Sequence, residues 1–158
     1  MPAATALAEE RTGRQLVTAT WTLKLDAFPA HEAPIELPKA PLQSVTHVKY
    51  YDTAGVLQTL SSALYAVEAP VGDFAEPGRI VLNYGEVYPG TYAQLNAVEV
   101  EFVAGYGTTS AVPGLMKAAL LLVVGELFER REDAVTGTSI AEVPLAARRL
   151  LWPFRVWR

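Results

Sequence analysis

Residues Val112 to Asp133 read VPGLMKAALLLVVGELFERRED, and this stretch decides the fold. The pattern predicts one helix of roughly 20 residues, about 30 Å long. Pro113 and Gly114 open it, with Thr109 and Ser110 upstream as capping candidates. Proline suits a first helical turn, because its missing N–H would have had no partner there. From Leu115 to Val124 only Lys117 is polar, so the segment has no solvated side and something must surround it. It is too short for a membrane span, which needs ~20 apolar residues. Two readings survive: the central helix of a domain, or a helix buried between subunits. Either way the helix is expected to be buried, and Leu121→Asp to cost several kcal/mol through an unpaired charge. After Gly125 the charged residues Glu126, Glu129, Arg130, Arg131, Glu132 and Asp133 make a solvated end, with Glu126 and Arg130 spaced for an i,i+4 pair.

Upstream, the chain reads as β-structure. Val17, Ala19, Trp21, Leu23 and Leu25 alternate with Thr18, Thr20, Thr22 and Lys24, the pattern of a half-buried strand. Residues 26–44 hold Pro29, Pro34, Pro38 and Pro41 around a short Ile35–Leu37 piece, a loop with an edge strand at most. Val45 to Tyr51, turn residues Asp52-Thr53-Ala54-Gly55 and Val56 to Leu60 form a hairpin. Leu64–Val67, Arg79–Tyr84 and Ala97–Ala104 add strands; in the last, Val98, Val100 and Phe102 oppose Glu99 and Glu101. Six or seven short strands suggest a sandwich or barrel-like sheet. Before them, residues 3–16 look like the end of a helix, with Gly13 as terminator. After the central helix, Thr136-Gly137-Thr138 is a break and Pro144 opens a short helix, Leu145 to Leu151, stopped by Pro153.

The fold class is therefore α+β: a β-rich module flanked by helical segments, with one long apolar helix, a short C-terminal helix and a tail. The 158 residues suit one domain, divided as 3–16 helix end, 17–104 β-rich module, 112–133 central helix, 144–152 short helix and 153–158 tail.

Hydrophobic content of 51% and charged content of 19% argue for an ordered chain. There is no cysteine, which removes disulfides, thiolate metal sites and cysteine nucleophiles. The N-terminal MPAATALAEERTGR has no apolar run and is not a secretory signal. Net charge is −4, against general nucleic-acid binding. The charge is uneven: residues 1–110 carry six basic and twelve acidic groups, residues 111–158 seven basic and five acidic.

No constellation of reacting groups stands out. His31 and His47 have no carboxylate cluster at ligand spacing. Glu99 and Glu101 share a strand face, as a catalytic pair might, but solvent-facing acids on an alternating strand need no special role. Gly105-x-Gly107 before a helix resembles a phosphate nest, yet lacks the third glycine and the Gly-Lys-Ser/Thr ending; a strand-to-helix turn is the simpler reading. The function should be binding or assembly, with no cofactor and no catalytic or metal residues. The C-terminal residues Trp152, Phe154 and Trp157, interleaved with Arg155 and Arg158 and preceded by Arg148 and Arg149, have an interface anchor's composition. The plainer alternative is that the tail folds back and its aromatics cap the protein's own core.

The strings EERTGRQLVTATWTLKLDAFP, IELPKAPLQSVTHVKYYDTAGVLQTL, EPGRIVLNYG, NAVEVEFVAGYGTTSAVPGLMKAALLLVVGELFERRED and EVPLAARRLLWPFRVW, in this order and spacing, resemble the phage head–tail connector (adaptor) family, in the branch with a β-rich insertion between helices. The resemblance runs from about Glu9 to Trp157. It implies a non-enzymatic virion protein at the head–tail interface, made in the host bacterial cytoplasm. Such subunits form a ring, usually of twelve, under the portal protein, and offer a platform to the next head-completion, stopper or tail protein. Double-stranded DNA would pass through the channel without sequence recognition, and no membrane is involved. Portal contact would fall to Arg148, Arg149, Trp152, Phe154, Arg155, Trp157 and Arg158; deleting the tail from Trp152 should abolish it and leave the fold intact. Subunit packing would fall to Leu115, Leu120, Leu121, Val124, Leu127 and Phe128. Family members commonly carry a further helical segment ahead of the EERTGR-like string, whereas this sequence starts only a few residues before it. The alternatives are a tail-completion or stopper protein of the same joint, which would prefer tail to portal, and a β-rich binding module unrelated to phage, which would be a stable monomer with a saturable pocket.

Overall fold

The computed structural model describes residues 2–129 and 144–157. They form three α-helices, α1 (Pro2–Thr12), α2 (Gly114–Glu129) and α3 (Leu145–Leu151), and seven strands. The strands are β1 (Ala19–Leu25), β2 (Ile35–Glu36), β3 (Leu42–Tyr51), β4 (Leu57–Thr59), β5 (Tyr65–Glu68), β6 (Arg79–Leu82) and β7 (Val98–Ala104). Two antiparallel sheets result, ordered β1-β7-β3-β4 and β2-β6-β5. The class is α+β as expected.

β7 shows why the larger sheet has an inside and an outside. Val98, Val100, Phe102 and Ala104 are buried, while Glu99, Glu101 and Val103 alternate onto the other face. Its partners keep the same parity: Trp21 opposes Phe102, Leu23 opposes Val100 and Val48 opposes Val100. Ile35, Leu37 and Ile80, on or beside the smaller sheet, join this cluster, so both sheets share one apolar core. Each fully buried Val or Phe here contributes about 1.5–3 kcal/mol relative to exposure.

The β3–β4 hairpin turns where its sequence demands. Gly55 N–H donates to Asp52 O at 2.8 Å, and Asp52 Oδ1 accepts from the Ala54 and Val56 amides. A bond from Gln58, with those from Val56 and Ala54, holds the Asp52 carboxyl below its usual range. The depressed value means the turn's support is present above the ordinary aspartate pKa and is lost as pH falls through the lowered one. The Val56 and Ala54 amide shifts should titrate together at that lower pH in NMR, and Asp52→Ala should abolish the titration.

A second core is helical. Ala4 and Ala8 of α1, Met116, Ala119 and Val123 of α2, and Ala147 and Leu151 of α3 bury against one another with Leu16, Val112 and Phe154. α1 stops where Gly13 takes φ +71° and donates its N–H to Glu9 O at 2.9 Å. Gly105 and Gly107 form the strand-to-helix turn. The Gly105 N–H donates to Pro41 O, and Gly107 O accepts from Thr18 N–H, so these backbone groups are already used within the fold. Gly105 has φ +124°, and a Cβ there would lie 2.8 Å from the Val17–Thr18 backbone. Gly105→Ala should cost about 2 kcal/mol or more, read as a lower denaturant midpoint at unchanged slope.

The central helix differs from expectation. Its described part is 16 residues long, starts after Pro113 and ends at Glu129; Arg130 to Asp133 lie outside the described residues. It is not buried all round. Met116, Ala119 and Val123, three and four apart, face the core, with Leu120 and Val124 half-buried beside them. Leu115, Leu121, Leu122, Leu127 and Phe128 are exposed, Leu121 at 67% and Phe128 at 73%. The helical core has only α1 and α3 to lay on α2, and two short helices cannot surround a third.

Candidate functional site

Two surfaces converge on the helical end of the molecule. The first is the uncovered face of α2. Of the residues expected at subunit contacts, Leu115, Leu121, Leu127 and Phe128 stand on it, and the sequence reading missed Leu122 beside them. Leu120 and Val124 instead pack against the helical core of their own chain.

The second surface is built by α3 and the segment after it. Ala147 and Leu151 are buried four apart, which sends Arg148 and Trp152, also four apart, together onto a different face. A 3-10 turn, Trp152–Phe154, follows at Pro153, and Arg155 N–H donates to Trp152 O. The turn brings Arg155 back beside Arg148, and Arg11 enters from the last turn of α1. Arg11, Arg148, Leu151, Trp152 and Arg155 line a pocket of about 100 Å³. Trp152 and Trp157 meet edge to face at 5.3 Å and remain 61% and 65% exposed. The Arg155 guanidinium lies 4.5 Å from the centre of the Trp157 ring. Arg149 is exposed nearby in sequence, and Arg158 lies outside the described residues.

Phe154 corrects the expectation. It is 1% exposed and stacks on Phe74 at 4.8 Å, so it is core and no partner can reach it. The tail is tied down too: Val156 N–H donates to Thr12 O at 2.8 Å. The fold-back reading of the tail holds for Phe154, which caps the core, while the two tryptophans face out. Deleting from Trp152 would therefore damage the fold as well as the surface.

Arg14 is a further side chain that sequence reasoning missed. It is 2% exposed, with Nε donating to Phe154 O at 2.5 Å and Nη1 to Ala75 O at 2.8 Å. One guanidinium thus joins the end of α1, the C-terminal segment and a loop of the β-rich part. Burial pushes the nearby Tyr106 phenol up, and Arg14 partly offsets it. Tyr106 also donates to Asp73 O in that loop.

Elsewhere the histidine reading changes. Cross-strand register sets His47 between Glu99 (3.9 Å) and Glu101 (3.8 Å), with Lys24 3.8 Å from Glu99. These are long, partly exposed contacts on the outer sheet face, worth little for stability. Among the described residues no group of three or more His, Cys, Asp or Glu is placed to hold a metal ion. A groove of 750 Å³ between the smaller sheet and Trp157 is lined by Glu36, Glu68, Pro70 and Arg79, and Arg79 is already bonded to Glu68.

Chains of similar fold occur in solved particles. The neck of a native gene transfer agent particle, computed with C12 symmetry, contains a chain similar to this one at TM-score 0.78 and 25% identity, over 99% of this chain and 80% of that one. The virion of a native gene transfer agent contains one at TM-score 0.76 and 28% identity, over 99% and 75%. The chain is thus similar to neck proteins. A third match, in the neck of an empty particle computed with C6 symmetry, gives TM-score 0.77 and 26% identity over 99% and 75%. No protein-family model matches the chain, and no curated protein sequence matches it significantly. The likeness spans both sheets and all three helices, so the connector resemblance of the sequence holds for the chain as a whole, and its place is the head–tail joint of a virion. C12 and C6 symmetry in the matched necks also supports ring assembly within the particle.

Proposed function

We propose that the chain is a non-enzymatic adaptor: one connector domain that assembles as a ring, of twelve copies, under the portal protein. The ring would extend the DNA channel and present a platform to a head-completion, stopper or tail protein. The observation that carries the reading is the 99% coverage by chains of symmetric necks. Two features of this chain support it. The uncovered α2 face, with Leu115, Leu121, Leu122, Leu127 and Phe128, is the kind of apolar surface that a neighbouring subunit covers in a ring. Arg148, Arg149, Trp152, Arg155, Trp157 and Arg158 would supply the portal contact. Here charge and aromatic area combine as they do at interface anchors.

The test is co-sedimentation with purified portal rings from the same genome. The wild-type chain should pellet with portal in saturable amounts, and Trp152→Ala/Trp157→Ala should bind at least tenfold more weakly (about 1.4 kcal/mol) with an unchanged melting curve. A well-folded wild type that ignores portal but binds tail tubes would favour the stopper reading instead.

A further inference from the structure

We infer that the pocket between α1, α3 and the C-terminal turn is a carboxylate receptor, which takes an acidic side chain from an extended segment of the protein that docks here. This rests on the docking face proposed above and names the chemistry of its partner. Arg11, Arg148 and Arg155 line one pocket of about 100 Å³. None of the three has a carboxylate within ion-pair distance among the described residues. Three arginines thus line one small volume, in a chain whose net charge is −4. A carboxylate entering that volume accepts paired N–H bonds from the guanidinium forks.

The pocket's walls narrow the choice further. Leu151 forms its apolar side, and Trp152 extends from it to the exposed edge-to-face pair with Trp157. An aromatic shelf beside a cationic socket suits Asp or Glu flanked by an apolar or aromatic residue. A nucleic-acid backbone fits less well. Its phosphates form a line, which calls for cations spread along a surface, whereas these three line a single small pocket.

The probe is an acetylated, amidated peptide of sequence Gly-Phe-Glu-Asp-Leu-Gly, and its control carries Gln-Asn in place of Glu-Asp. Binding to the full chain is read from the indole N–H signals in NMR, with Trp21, which is not among the pocket's lining residues, as internal reference. The acidic peptide should shift Trp152 and Trp157 saturably and leave Trp21 still. The control should bind about tenfold more weakly or worse, as expected for losing charge-assisted bonds. Arg11→Gln/Arg148→Gln/Arg155→Gln changes three exposed side chains, should keep the fold, and should erase the difference between the peptides. Equal shifts from both peptides, no shift from either, or displacement of the peptide by short duplex DNA at physiological salt would overturn the inference.

The two readings fail separately. A wild type that binds the acidic peptide but not portal would refute portal docking and leave the receptor standing. A triple variant that joins portal as well as wild type would refute the receptor's docking role and leave the adaptor standing.

Discussion

Arg14→Met should lower the stability of the isolated chain by about 3 kcal/mol, a fall in melting temperature of roughly 6–12 °C for a chain of this size. The reasoning starts from what Arg14 leaves behind. Phe154 O and Ala75 O are bonded by its guanidinium inside the protein. Each buried carbonyl left without a donor costs ~1–3 kcal/mol. Removing a buried charge returns part of that loss, because the guanidinium no longer has to stay desolvated. Arg14→Lys should not rescue, since a single ammonium cannot reproduce the planar fork that meets two carbonyls at once. The tail should loosen with it, because the Val156–Thr12 bond lies next to the same junction. A melting temperature within about 2 °C of wild type would show that the junction is held by apolar packing alone.

Leu121→Asp should leave the monomer nearly unchanged and abolish assembly. The first half follows from exposure: Leu121 is 67% accessible in the single chain, and an exposed Leu-to-Asp change in a helix costs less than ~1 kcal/mol. This replaces the expectation drawn from the sequence, where the apolar run left no solvated side and the same substitution was destabilising. The second half follows from the proposed ring with α2 at the subunit contact. A carboxylate facing an apolar neighbour would cost about 2–5 kcal/mol at every subunit contact, repeated around the circle. Sedimentation velocity should show a folded monomer under conditions where wild type sediments as a ring. Rings formed by the variant at wild-type concentration would move the subunit contact off α2.

The legible parts of the fold are those whose pattern is local. Alternation in residues 98–104 gave β7 its inner and outer faces, and Asp52 to Gly55 marked the hairpin. Gly13 and Pro144 marked the boundaries of α1 and α3. What stayed hidden depends on contacts between distant residues. Nothing around Arg14 distinguishes it from a surface arginine until Phe154 O, 140 residues away, closes on it. The same holds for the tail. Composition marks Trp152, Phe154 and Trp157 alike, and only packing against Phe74 separates the buried ring from the two exposed ones. Arg11 escaped notice because it joins Arg148 and Arg155 through the α1–α3 approach, not through spacing. On α2, the nearly unbroken apolar run from Leu115 to Val124 gave no periodicity from which to tell the covered face from the open one.

The central claim is that this chain forms a ring at the portal. The most direct measurement is negative-stain imaging of portal rings mixed with the purified chain, with symmetry averaging of end and side views. The account predicts an added ring of density at the narrow end of the portal, twelvefold in end view. Portal particles indistinguishable from those without the chain, in a sample where the chain is folded, would contradict it.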